Sequence, residues 1–352
     1  MTMLNVGVIG VGSISRHHIE QYLHHKNVHL HAFCDHNIER LQEKGELYNI
    51  EQLYGEYHDL LKNKNLDAVS ICTWNNSHAE IAIAALEAGK HVLVEKPLSM
   101  TVEEALAVKE AVHKTGKVLQ VGFVRRHSES TKILKEFIDN GDLGDIYYAK
   151  ASYLRRLGNP GGWFSDKKKS GGGPLIDLGV HVIDICWYLM GKPKPVSVSG
   201  NTYHRLGNRS NIENLSFYKA ADYNPELNDV EDLANAIIRF ENGASIMVDV
   251  SFTLHAKENE VNVKIYGEKA GAEVEPELLI TSEKHNTILN VSPQIDNRSL
   301  HFKKAFKEEI DHFVTCCLDG KENIASVDDG VQIMKILNAV YQSAKNGKEV
   351  YL

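Results

Sequence analysis

Residues 171–191, GGGPLIDLGVHVIDICWYLMG, combine an apolar run with ionisable side chains at helical spacing. Pro174 suits the first turn of a helix and Gly191 suits its end, while the three glycines before Pro174 predict a loose entry. Because most side chains between these positions are apolar, the helix is predicted to be buried on most sides. Its polar residues fall on one stripe: Asp177, His181, Asp184 and Tyr188.

A carboxylate one helical turn from an imidazole is a candidate acid/base pair when both groups face a cleft. Asp177 and His181 have this spacing. Ionisable groups inside a folded protein need partners or a cavity, so the stripe is equally compatible with a satisfied buried network or a hydrated helix face. The helix by itself leaves these alternatives open.

A glycine turn follows the first apolar run of the chain, residues 4–9. Gly10 permits a tight turn, Gly12 permits close approach of a pyrophosphate, and Ser15 replaces the third glycine of G-x-G-x-x-G. A helix starting near Ser13 would offer backbone N–H groups to the phosphates. The spacing predicts a dinucleotide-binding turn, although the motif alone is common.

Asp35 follows the second apolar run, residues 28–34. An acid at this place accepts hydrogen bonds from the ribose hydroxyls and repels a 2′-phosphate, which favours NAD over NADP. Arg40 lies nearby in the sequence and keeps NADP open. The alternative is that Asp35 caps a helix beginning at Ile38.

Strand and helix alternate through the first third of the chain, which predicts an α/β fold with a doubly wound parallel sheet. Ligands bind beyond the carboxyl ends of such strands. The segments at two of these ends are Thr73-Trp74-Asn75 and Glu95-Lys96-Pro97. The predicted helices are 38–48, 77–88 and 101–115, and the predicted strands after the second are 67–72, 91–94 and 117–121.

Strands then follow one another without intervening helices, which predicts an α+β domain with a large, mostly antiparallel sheet. We therefore expect a dinucleotide-binding domain at 1–123 and a substrate-binding domain at 124–352. The final helices, near 302–318 and 326–345, are expected to pack back on the first domain. An exposed sheet face would suit a homodimer or homotetramer.

Composition excludes several classes of protein. The 352 residues are 43% hydrophobic and 24% charged, as in an ordinary globular protein of two domains, and the net charge of −8 argues against a nucleic-acid partner. The five cysteines form no CxxC, which predicts reduced thiols and a cytoplasmic setting. No apolar run predicts a membrane span, and the start does not resemble a signal peptide. Seven early histidines show no metal-ligand spacing and are expected to be mostly solvated: His17, His18, His24, His25, His29, His31 and His36.

Several segments together resemble the Gfo/Idh/MocA family of nucleotide-dependent sugar and polyol oxidoreductases. They are GVIGVGSISRHH, ICTWNNSHAEIAIAALEAGKHVLVEKPLSMTVEEA, VGFVRR, LIDLGVHVIDICWYLMG and ASVDDGVQIMKILNAVYQSAKNGKEVYL. The EKP motif and the D-x-x-x-H segment are the most specific. Trp74 departs from the family, which usually has proline there, and the stretch between Tyr203 and Asp229 looks like an insertion.

The resemblance implies roles for individual residues. Lys96 would lie beside the nicotinamide and the reacting carbon, and Asp177 and His181 would be the other catalytic groups. Asp184 would contact the substrate. The residues implied to hold the cofactor are Gly10, Gly12, Ser13, Ile14, Asp35, Thr73, Asn75, His78, Glu95 and Lys96.

The loop before the apolar helix, residues 155–173, is a candidate lid. Trp163 and the following Phe164 would cover the nicotinamide or a sugar face, and the alternative is a hydrophobic plug. Three arginines could contact an acidic substrate group, although surface salt bridges are favoured: Arg126, Arg155 and Arg156.

From these motifs and the resemblance, we expect an NAD(P)-dependent dehydrogenase that oxidises a secondary hydroxyl of a sugar, inositol or related polyol. His181 would be the general base, Asp177 would orient it, and Lys96 would stabilise alkoxide character. One alternative is a glycosidase that oxidises transiently and eliminates the aglycone. Another is a dinucleotide-binding sensor without catalysis.

Overall fold

The computed structural model describes residues 3–220, 223–224 and 226–352. The chain divides into two compact units. The first runs to Val124 and includes Phe302–Met334; the second comprises Arg125–His301 and Lys335–Leu352.

The first unit contains a six-stranded, entirely parallel sheet, as predicted for a doubly wound fold. The strand order is β3-β2-β1-β4-β5-β6. The strands are β1 Leu4–Ile9, β2 Val28–Cys34, β3 Gln52–Tyr54, β4 Ala68–Ile71, β5 His91–Glu95 and β6 Leu119–Gly122. The helices are α1 Ser15–His24, α2 Ile38–Tyr48, α3 Tyr57–Leu61, α4 His78–Glu87 and α5 Val102–Thr115.

The sequence explains where these elements begin and end. All four residues of β4 are buried, because a parallel strand is covered on both faces. A capping box between Thr101 and Glu104 starts α5, and Gly116 ends it with a φ of 64°. Helix α1 starts later than the expected Ser13, because residues 12–14 form a turn.

The second unit is built on a nine-stranded sheet in which only the β7–β10 pair is parallel. The order is β14-β13-β12-β11-β7-β10-β9-β8-β15. The strands are β7 Ile146–Leu154, β8 Pro195–Tyr203, β9 Leu233–Phe240, β10 Ser245–Ser251, β11 Glu260–Gly267, β12 Ala270–Glu275, β13 Leu279–Lys284, β14 Thr287–Val291 and β15 Val350–Tyr351. The helices that follow α5 in the chain are α6 Glu129–Asp139, α7 Lys167–Ser170, α8 Val180–Leu189, α9 Phe302–Asp319 and α10 Val327–Asn346.

The apolar helix of residues 171–191 is present but begins differently from the prediction. Leu175–Gly179 form a π-helical turn, and the α-helix proper is α8. A single wider turn changes the side-chain period too little for a sequence pattern to reveal it. Helix α8 packs on strands β7, β10 and β11, so its apolar residues fill one face of the sheet.

Candidate active site

The glycine turn between β1 and α1 has the geometry that its sequence predicts. Gly10 has a φ of 85°, and a Cβ there would lie 2.8 Å from the carbonyl carbon of Cys72, so both conformation and space require glycine. At Gly12 a Cβ would meet only Arg40 Nη1, at 3.6 Å. The backbone at Gly12 is therefore open on the side where a pyrophosphate would approach, and the turn fits a dinucleotide.

Asp35 braces this turn. Its Oδ2 accepts the N–H of Val11 at 2.9 Å, and its Oδ1 accepts the N–H of Asn37 at 2.8 Å. Asn37 is the residue that caps α2, since its side chain accepts the N–H of Arg40. The alternative that Asp35 itself caps this helix is therefore wrong. Each carboxylate oxygen keeps a lone pair for a ribose hydroxyl, which fits NAD.

The segments after β4 and β5 are joined by a buried histidine. His78 is 1% exposed; its Nδ1 lies 2.7 Å from the carbonyl oxygen of Pro97 and its Nε2 lies 3.1 Å from that of Thr73. Burial lowers the pKa of His78, and a neutral imidazole has a single N–H, so His78 contacts both segments and donates a hydrogen bond to one of them. Asn75 is buried with it, Thr73 is partly exposed, and Trp74 is exposed.

Lys96 directly follows strand β5, whose last residue is the buried acid Glu95. Glu95 accepts the N–H of Lys96 at 3.2 Å through Oε2, and its Oε1 lies 2.9 Å from Nε2 of His18. The side chain of Lys96 is partly exposed, and its peptide bond to Pro97 is cis. The resemblance implied Glu95 as a residue lining the nicotinamide, whereas the structure places its carboxylate among protein groups.

His18 is an exception to the expectation that the early histidines are mostly solvated, because none of its surface is exposed. It lies on the inner side of α1, and its Nδ1 is 3.3 Å from Ser70 Oγ. Burial lowers the pKa of His18, but the opposing effects of Cys72 and Glu95 are larger, and the net pKa lies well above its usual value. Burial raises the pKa of Cys72, so this residue is a neutral thiol, and we assign the stabilisation of the imidazolium to Glu95.

In the second unit, Asp177 and His181 are partly exposed on one side of the helix. Asp177 lies in the π-helical turn, where its N–H donates to the carbonyl of Gly173 at 3.1 Å, and His181 lies in the first turn of α8. Tyr188 continues the same partly exposed side. The predicted polar stripe is therefore present, except at Asp184.

Asp184 is 1% exposed and accepts hydrogen bonds from Arg126, whose Nε lies 3.0 Å from Oδ2 and 3.2 Å from Oδ1. The Arg126 guanidinium also lies over the ring of Tyr188, 4.7 Å from its centroid. Arg126 is itself buried, so the expectation of a surface salt bridge is wrong for this residue. No sequence pattern indicates this pairing, because the partners are 58 residues apart.

The entry to the helix is tight, contrary to the expectation of a loose one. A Cβ on Gly172 would lie 2.0 Å from the hydroxyl of Tyr341, and one on Gly173 would lie 2.4 Å from the carbonyl oxygen of Glu231. The Glu231 carboxylate accepts the N–H groups of Gly173 and Leu175 at 2.9 and 3.2 Å, and the Tyr341 hydroxyl at 2.8 Å. Burial raises the pKa of Glu231. These glycines are needed for close approach, and sequence reasoning missed Glu231 because it lies in a segment without periodicity.

The candidate lid loop is fastened by the stretch that looked like an insertion. Trp163 is partly exposed and stacks on Phe164, with ring centroids 3.9 Å apart. Asn159 Oδ1 accepts the N–H of Gly161 and the hydroxyl of Ser165. The segment from Tyr203 to Asp229 donates two backbone hydrogen bonds to this loop. The N–H of Ala220 donates to Pro160 O at 2.7 Å, and the N–H of Asp229 donates to Ser165 O at 3.1 Å.

The other two arginines near this loop donate to backbone oxygens. Arg155 Nη1 donates to Gly158 O at 3.1 Å, and Arg156 Nη1 donates to Lys257 O at 2.7 Å. Arg156 borders a cavity of ≈ 450 Å³ together with Arg209 and several apolar residues.

Among the residues that the structure describes, no group of three or more His, Cys, Asp or Glu side chains is arranged to hold a metal ion. Within the same residues, no helix is both long enough and apolar enough to cross a bilayer.

Two family models together match almost the whole chain. A model of an oxidoreductase family with an NAD-binding Rossmann fold, Gfo/Idh/MocA, matches residues 4–123. The model of the C-terminal alpha/beta domain of the same family matches residues 135–352.

Individual relatives match over their full lengths. D-glucoside 3-dehydrogenase from Escherichia coli (strain K12) is 35% identical, over 99% of this chain and 97% of its own. Myo-inositol 2-dehydrogenase from Thermotoga maritima is 26% identical, over 99% of this chain and 98% of its own. The solved structure of levoglucosan dehydrogenase in complex with NADH and L-sorbose superposes with a TM-score of 0.86 at 25% identity, covering 100% of this chain and 99% of that one.

Proposed function

Because this chain belongs to the Gfo/Idh/MocA family of oxidoreductases, we propose that it oxidises a secondary hydroxyl of a sugar, glycoside or polyol, with NAD as the hydride acceptor. The observation that carries the substrate class is the full-length similarity to D-glucoside 3-dehydrogenase at 35% identity. The inositol and levoglucosan dehydrogenases that also match act on cyclic polyhydroxylated compounds, which supports the same class.

The cofactor would be held in the first unit, by the open backbone at Gly12, the Asp35 carboxylate and the segments that follow β4 and β5. The NAD nicotinamide, when bound, accepts the hydride from the carbinol carbon. In our proposal His181 takes the hydroxyl proton, Asp177 orients the imidazole, and Lys96 donates a hydrogen bond to the oxygen as it gains negative charge.

The structure motivates a changed role for one proposed substrate ligand. Both oxygens of Asp184 are committed to Arg126, so we propose that Asp184 fixes the helix that carries His181 rather than contacting the substrate. Trp163 keeps its proposed role, because a partly exposed indole stacked on Phe164 offers a flat apolar surface to a sugar ring.

The reaction is tested by following NADH absorbance with a panel of methyl glucosides, levoglucosan, inositols and free sugars, each with NAD and with NADP. We expect turnover with at least one cyclic compound and a preference for NAD. Release of an aglycone without net NADH would instead identify the glycosidase reaction. Binding of NADH with no turnover of any compound would contradict catalysis and favour a sensor.

The proposed base is tested with His181→Ala. We expect kcat to fall by about 10²- to 10⁴-fold, because general-base catalysis is lost, while NADH still binds. His113→Ala, on the exposed side of α5, is the matched control and should keep full activity. Unchanged turnover in His181→Ala would rule out this assignment.

We also propose that a second copy of the chain covers the face of the large sheet opposite α8, giving a homodimer or homotetramer. Met247 of β10 is 44% exposed on that face. Tyr148 of β7 and Tyr266 of the neighbouring β11 stack on each other there. Light scattering of Met247→Lys should show a shift towards the monomer. The five cysteines are all free, which supports a reducing, cytoplasmic setting.

A further inference from the structure

A chain of buried polar groups connects α1 to the residue before Lys96. It starts at Tyr22, whose hydroxyl lies 2.7 Å from Ser70 Oγ, and passes through His18 to the carboxylate of Glu95. Every member is less than a tenth exposed. Buried polar groups of this kind hold each other in fixed positions when all are satisfied.

The geometry of Glu95 limits where the Lys96 backbone can lie. One carboxylate oxygen is held by His18 and the other accepts the Lys96 N–H. On its other side the carboxylate lies against Gly122 of strand β6, where an added Cβ would come within 3.2 Å of Glu95 Oε2, so the glycine provides the space that the carboxylate occupies. The carboxylate is thus held by His18 of α1 through one oxygen, while the other oxygen accepts the Lys96 N–H.

We propose that His18 is a positioning residue for Lys96: by holding the Glu95 carboxylate, it fixes the backbone from which the lysine side chain extends. The inference rests on the proposed role of Lys96. Helix α1 also follows the glycine turn, so the same imidazole ties the end of β5 to the element that begins at the dinucleotide turn.

The principal variant is His18→Gln, which keeps a polar side chain but cannot pair with both Glu95 and Ser70 in the same way. We expect kcat to fall about 10- to 100-fold, since small displacements of a catalytic group have effects of this size. The KM for the sugar and the Kd for NADH should stay close to their original values. His17→Gln is the matched control: His17 is the neighbouring residue on α1, stacks on Phe306 and should leave kcat unchanged.

A double-variant cycle distinguishes positioning from general support of the fold. If His18 acts through Glu95, then Glu95→Gln alone lowers kcat, and adding His18→Gln causes little further loss. Equal multiplicative losses in the two backgrounds would overturn the proposal. Wild-type kcat in Glu95→Gln would overturn it as well, and that variant serves alone if His18→Gln does not fold.

A measurement on the cofactor-free protein separates this inference from the proposed reaction. Reductive methylation followed by mass spectrometry reports the reactivity of each lysine, whether or not a substrate is known. We expect His18→Gln to change the methylation rate at Lys96 and to leave that at the exposed Lys114 unchanged. An unchanged rate at Lys96 would overturn the positioning role even if the enzyme oxidises sugars as proposed.

Discussion

Each unit buries an ion pair next to residues that we assign to catalysis, and the two pairs differ in whether their charges can be lost. In the first unit His18 pairs with Glu95, which precedes Lys96. In the second unit Arg126 pairs with Asp184, which lies on the helix of the proposed base. Arginine stays charged at any physiological pH, whereas histidine ordinarily titrates near neutrality. One supporting pair is therefore permanent, and the other depends on its surroundings.

The two ion pairs also differ in whether the ionisable group beside each of them has a partner of its own. Beside the first pair lies Glu309 of α9, fully buried, whose two carboxyl oxygens have no hydrogen-bond partner among the described residues. Burial, and then the neighbouring Glu95, raise the pKa of Glu309 well above its usual value, so it is a neutral acid beside the pair. In the second unit the neighbouring buried cation, Arg125, has its own carboxylate in Glu275. Glu309 thus places a carboxyl group without a hydrogen-bond partner among the described residues beside the first pair, whereas the cation beside the second pair has its own carboxylate.

The largest expected effect comes from breaking the permanent pair. Asp184→Ala leaves the buried Arg126 guanidinium without its carboxylate, and we expect the free energy of unfolding to fall by about 3–5 kcal/mol. Urea unfolding followed by fluorescence measures it. Asp184→Asn, which keeps an accepting oxygen, should be less destabilised. If both variants match the wild type, the guanidinium is not held by this carboxylate.

At neutral pH, Glu309→Gln is expected to raise the free energy of unfolding, by less than Asp184→Ala lowers it. The folded state keeps a proton on Glu309 that the unfolded state releases above its ordinary pKa of 4.5, so stability falls as pH rises. The slope is about 1.4 kcal/mol per pH unit until the folded pKa is reached. The groups facing Glu309 include Glu95, His18, Tyr22 and Cys72.

Glu309→Gln should remove this slope and stabilise the protein at neutral pH, with little difference from the wild type below pH 4.5. Glu308→Gln, on the neighbouring and partly exposed position, should keep the slope. Unfolding curves at a series of pH values provide the measurement. A wild-type slope that survives in Glu309→Gln would assign it to another group.

The residues at the ends of the parallel strands are predictable from the sequence. Gly10, Asp35 and Lys96 follow apolar runs, and period and turn chemistry place such residues at the carboxyl ends of parallel strands. The two sheets follow from the order of the elements for the same reason. Strand β3 and helix α3 were not predicted, because they span three and five residues and have no periodicity to detect.

The buried residues that hold the site in place, His18 and Glu231, could not be predicted from the sequence. His18 resembled its solvated neighbours, and nothing in the sequence pattern indicates that a carboxylate 77 residues away will meet it. Glu231 reaches the glycines of the apolar helix across 58 residues in the same way. Pairings of this kind depend on tertiary distance, so only coordinates or paired substitutions reveal them.

The smallest effect tests how far the polar network of the first unit extends beyond the His18–Glu95 pair. Tyr22→Phe removes the hydroxyl that meets Ser70, and we expect a loss of about 1 kcal/mol in unfolding free energy. In a Ser70→Ala background the same change should cost less, because the two hydroxyls then leave together. Thermal and urea unfolding of the four proteins measure this coupling. Additive losses would show that the two hydroxyls do not interact, so that the network ends at Ser70.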